Sequence, residues 1–104
     1  MISKELLSEV LGRDIHEIQL LNDSKNIRVI WSPLSGSELL TIYELAHKCK
    51  KWASNEGVII ESCTMGSIKL YKHGATYPFH SLFTEITEAE AIFAACEYIL
   101  KQKD

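Results

Sequence analysis

Two stretches of this chain open on the same signal. Thr41 is followed three residues later by Glu44, and Thr87 by Glu90. At that spacing a threonine hydroxyl and a glutamate side chain can each satisfy a backbone N–H left open at a helix start. Behind the first pair, Leu45, Cys49, Trp52 and Ala53 recur at i, i+4, i+7 and i+8, which is one face of a helix with 3.6 residues per turn. Behind the second, Ala89, Ile92, Phe93, Cys96, Ile99 and Leu100 form a longer stripe of the same kind. Gly57 is placed to end the first helix. A shorter helix is predicted over Ile2 to Leu11, capped by Ser3, striped by Leu6, Leu7, Val10 and Leu11, and stopped by Gly12. At that length it is marginal alone and must dock on the rest of the chain.

Between the helices the period changes to two. Ile15 to Leu21 and Ile27 to Trp31 flank Asn22-Asp23-Ser24-Lys25-Asn26, turn chemistry between β-formers, and predict a hairpin. Ile27, Val29 and Trp31 share one face and Arg28 takes the other. Pro33 and Gly36 break the run, and a short extended piece follows at Ser37 to Leu40. Val58 to Thr64 and Ser67 to Lys72 predict a second hairpin around Met65-Gly66, with the Val58-Ile59-Ile60 start expected to be covered on both sides. A loop from His73 to His80 leads to a further strand at Ser81 to Ile86. The expected fold is α+β, in the order α-β-β-α-β-β-(β)-α. It is an antiparallel sheet of four to six strands with three helices mainly on one face.

Composition narrows the class. A chain of 104 residues with 46% apolar content can bury a hydrophobic core as one domain over 1–104 without disulfide or metal support. No apolar run reaches the roughly 18 residues of a membrane span, and MISKELLSEV does not read as a signal peptide. A cytoplasmic setting with Cys49, Cys63 and Cys96 as free thiols is therefore expected, and no membrane partner. The net charge of −3 and a pI near 5.8 argue against a nucleic-acid binder. Lys48, Lys50 and Lys51 do not form one stripe and read as the solvated back of a helix. Glu88 and Glu90 are explained by the helix dipole at a helix start.

The segments TIYELAHKCKKWA from Thr41 to Ala53 and EAEAIFAACEYIL from Glu88 to Leu100 resemble small uncharacterised bacterial and phage-associated proteins. That resemblance covers about a quarter of the chain and implies a bacterial or prophage origin. It implies no activity.

Chemistry-bearing residues are few. Among His16, His47, His73 and His80 no pair has the HxxxH spacing of a metal-binding helix face, and no cofactor or metal is expected. Cys63, His73 and His80 could converge as a thiol nucleophile with a base, or as a ligand-binding site, and form the alternative catalytic or binding trio. No nucleophile elbow or phosphate loop accompanies them. The stronger feature is the connection from Gly74 to Phe83, where Tyr77, Phe79 and Phe83 stand with Pro78 and have Tyr71 beside them. Aromatic loop residues bring large contact area at low entropic cost. They serve either as a lid over the open sheet face or as a partner surface. Ile30, Ile59, Tyr71 and Phe83 are expected in part on the face away from the helices, and an apolar patch there wants a covering. The function expected is a non-catalytic interaction or accessory protein. It would act as a homodimer or dock on a protein partner through Tyr71, Tyr77, Phe79 and Phe83.

Overall fold

Three side-chain caps start the three helices. The Ser3 hydroxyl accepts from the Leu6 amide at 3.1 Å, Thr41 from the Glu44 amide at 3.0 Å, and Thr87 from the Glu90 amide at 3.3 Å. At Thr41 the box is varied, because its hydroxyl donates to the Glu44 carboxylate at 3.2 Å. The computed structural model describes residues 2–21, 25–33, 36–62, 67–83 and 87–103. Its elements are α1 (Lys4–Leu11), β1 (Ile15–Leu20), β2 (Asn26–Trp31), β3 (Ser37–Thr41), α2 (Ile42–Asn55), β4 (Val58–Ser62), β5 (Ser67–Lys72), β6 (His80–Phe83) and α3 (Glu88–Gln102). The fold is α+β, with every strand pair antiparallel. The turns expected at residues 22–24 and 65–66, and residues 84–86 of the last expected strand, lie outside the described residues.

The expected single sheet of four to six strands is instead two sheets of three, ordered β1-β2-β3 and β4-β5-β6. The short piece at Ser37 is a full strand, so after α1 the order β-β-β-α occurs twice. Thr41 marks the junction between the halves: it is both the last residue of β3 and the cap of α2. The chain therefore leaves the first sheet there and passes along a helix before β4 begins. β4 then pairs with its own hairpin partner β5.

Each sheet buries one face. In β2 Ile27, Val29 and Trp31 are buried while Arg28 is exposed. In β4 Val58 and Ile60 are buried, and in β5 Ile68 and Leu70. Ile59 is 47% exposed, so the expectation that β4 begins covered on both sides is wrong. A run of three apolar residues does not distinguish double coverage from a single exposed apolar side chain between two buried ones.

The buried strand residues meet Leu6, Leu7, Leu45, Cys49, Ala53, Phe93 and Cys96 of the helices in one continuous cluster. Within the helix layer α2 and α3 lie side by side and parallel. Cys96 contacts Cys49 midway, and Lys103 contacts Glu56 at the C-terminal ends, both pairs 47 residues apart. The thinnest dimension of the molecule is 18 Å against a length of 44 Å, as two layers about 10 Å apart require. α1 joins the same layer through the Ser3 hydroxyl, which donates to Glu97 of α3 at 2.8 Å. Gly12 ends α1 with φ +69 while its amide donates to the Ser8 carbonyl at 2.8 Å, a left-handed turn that glycine adopts without steric cost.

Candidate functional site

The outer face of the second sheet is set by register. Directly opposed residues of an antiparallel pair lie on the same side. The buried pair Ile60 and Leu70 therefore alternates with the outward pairs Ile59 with Tyr71 and Glu61 with Lys69. Ile59 is exposed and Tyr71 half-buried. One apolar pair thus sits beside one charged pair, and the apolar area on this face is bounded along the strands.

The aromatic connection leaves this sheet at Lys72 and returns at His80. The His73 amide donates to the Gly57 carbonyl at 3.3 Å and the Ala75 amide to the Lys72 carbonyl at 3.0 Å. At the other end the Phe79 amide donates to the Leu70 carbonyl at 2.8 Å, adding one bond to the β5–β6 ladder. The strap is thus held at both ends. Tyr77, between them, is 81% exposed, and Phe79 is 42% exposed with Lys72 Nζ 4.9 Å from its ring centroid. At that exposure Tyr77 has its ring in solvent, so it does not roof the sheet. Phe83 ends β6 opposite Ser67, and its side chain lies outside the described residues. Ile30 is half-buried on the outward side of β2, where it pairs with Ser37 and Glu17.

The alternative trio is placed differently. His73 is exposed, with Nε2 3.5 Å from the Ser54 hydroxyl at the end of α2. The His80 ring stacks on Tyr98 of α3 with centroids 4.0 Å apart and planes 3° from parallel. Cys63 lies outside the described residues. The two histidines therefore engage different helices. Among the described residues no three His, Cys, Asp or Glu side chains gather where they could hold a metal ion. No helix among them is long and apolar enough to cross a membrane.

Cys49 and Cys96 are buried at the α2–α3 seam, where the Cys96 thiol donates to the Cys49 carbonyl at 3.5 Å. A side-chain hydrogen bond with Cys49, together with burial and the neighbouring Cys49 and Glu97 charges, pushes the Cys96 thiol far up from its ordinary value. A Cys96 thiolate is therefore disfavoured, and the two buried cysteines act as packing.

One surface feature lies outside the residues expected from the sequence to carry function. Where the N-terminal turns of α2 and α3 lie beside the end of β1, an open cleft of about 780 Å³ is lined by Leu20, Ile42, Tyr43, Ala46, Ala89 and Ile92 among others. Tyr43 is 73% exposed at its lip. A signal was present: Tyr43 stands two residues before Leu45, about 200° around the helix from the buried stripe. An aromatic there has no core to enter.

No protein-family model, curated protein or solved structure matches this chain.

Proposed function

We propose that this chain is a non-catalytic interaction or accessory protein of bacterial or prophage origin, working in the cytoplasm by self-association or by docking on a protein partner. The contact surface is the strap with Tyr77 and Phe79, together with Tyr71 and Ile59 on the adjoining sheet face and Phe83 at the end of β6. One observation carries this proposal. Tyr77 is 81% exposed on a strap tied at both ends by backbone hydrogen bonds. An aromatic side chain held out in this way loses little conformational entropy on binding, and large aromatics dominate interface energetics.

The test is affinity capture from a bacterial lysate with immobilised wild-type chain, beside the Tyr77→Ser/Phe79→Ser double variant and Tyr71→Glu. A protein retained by the wild type and reduced at least tenfold on both variants supports the proposal. Equal retention on all three would defeat it.

A further inference from the structure

The cleft between α2 and α3 has three properties that belong together. Its floor is closed by small or buried apolar side chains, Ala46, Ala89 and Ile92, so the first turns of the parallel helices leave space between them. Beside that hole stands an apolar knob, the exposed ring of Tyr43. Its walls carry opposite charge: α2 supplies Lys50, and α3 supplies Glu88 and Glu90. None of these three charged side chains makes an ion pair among the described residues.

We infer that this cleft seats a second copy of the same chain in a two-fold dimer. An isologous interface has to be its own complement, because the same patch faces itself. A knob beside a hole, with a basic wall across from an acidic one, meets that condition. A two-fold axis lying in this face, perpendicular to the line joining the two walls, exchanges them. It sets Lys50 of each copy against Glu88 and Glu90 of the other and brings each Tyr43 to the other's cleft. An apolar anchor ringed by opposite charges is the arrangement in which contact is tight at the centre and selective at the rim. The inference rests on the chain being an interaction protein, but it uses a different face from the strap.

The experiment is sedimentation velocity of the full chain over a micromolar concentration series, using wild type, Lys50→Glu, the double variant Glu88→Lys/Glu90→Lys and an equimolar mixture of the two variant chains. Wild type is expected to dimerise. Each variant alone sets like charges at both symmetric contacts and is expected to dimerise at least tenfold more weakly. In the mixture both contacts are again opposite in sign, so dimer returns, which a merely misfolded variant would not show. Tyr43→Ala removes an exposed ring and is expected to give a folded monomer by circular dichroism. A wild type that stays monomeric, or a dimer that survives both charge reversals and Tyr43→Ala, overturns the inference. So does a dimer lost in Tyr77→Ser/Phe79→Ser, since the second copy would then sit on the strap, and the proposed function would still stand.

Discussion

The Ser3 hydroxyl serves two helices at once, accepting from the Leu6 amide at 3.1 Å while donating to the Glu97 carboxylate at 2.8 Å. One small side chain thereby caps α1 and ties it to α3. Ser3→Ala removes a cap worth about 1 kcal/mol and a hydrogen bond to a charged group worth about 1.5–3 kcal/mol at most. A loss of about 1–4 kcal/mol in urea unfolding is expected. Glu97→Gln, which keeps an acceptor, should cost less. A Ser3→Ala loss under about 0.5 kcal/mol would show that the tie does not hold α1.

The thiols at the α2–α3 seam should behave as core. With Cys96 bonded to the Cys49 carbonyl and both residues buried, labelling by a disulfide reagent should be gated by unfolding, because the thiolate is the reactive form. Peptide mapping after brief native labelling is expected to leave Cys49 and Cys96 unmodified, and labelling in urea to modify both. Native modification of either at the rate of a free cysteine would contradict the packing of the two helices.

Lys103 closes the other end of that seam. Its ammonium lies 3.1 Å from Glu56 and 3.7 Å from Glu9. The hydrogen bond to Glu56 raises its pKa above the ordinary lysine value, helped by both carboxylate charges and opposed by desolvation. A folded pKa above the unfolded one stabilises the fold below the unfolded value, about 10.4, and that contribution is lost as pH rises through the folded pKa. Wild type should therefore have a higher urea midpoint than Glu56→Gln at neutral pH, with the gap closing in strongly alkaline buffer. A gap unchanged by alkali would exclude the ion pair as its source. The pair is solvent-exposed, so added salt should also narrow the gap.

Phe93 and Tyr77 mark the two extremes of aromatic placement. Phe93 is among the largest fully buried side chains, at 2% exposure, and Phe93→Ala is expected to cost about 3–5 kcal/mol. Tyr77→Ser should change stability by less than about 0.5 kcal/mol. Thermal or urea unfolding decides both. A large loss on Tyr77→Ser would mean that the ring packs on its own chain, leaving no free contact surface.

What could be read from the residues alone was local. Ser3, Thr41 and Thr87 cap the helices because a side-chain oxygen and an amide three residues away meet whatever lies beyond. The stripes of Leu45, Cys49 and Trp52 and of Ile92, Phe93 and Cys96 are buried because helical period alone puts them on one side. Alternation along β2 separated Ile27, Val29 and Trp31 from Arg28 for the same reason. The exposure of Tyr77 and Phe79 matches an aromatic run between strand ends, though residue types alone left open whether the strap lay on the sheet.

Partnership between distant segments was decided by the tertiary structure. A period of two tells a strand which of its sides is buried but not which strand lies next to it, so the division into β1-β2-β3 and β4-β5-β6 had no local signature. Likewise nothing near Cys49 encodes that Cys96 lies beside it, 47 residues on. That side-by-side placement brings the first turns of α2 and α3 together around the Tyr43 cleft. Hydrogen-bond caps and side-chain periods act over one or two turns of chain, whereas sheet membership and clefts follow from which apolar faces find each other in the shared core.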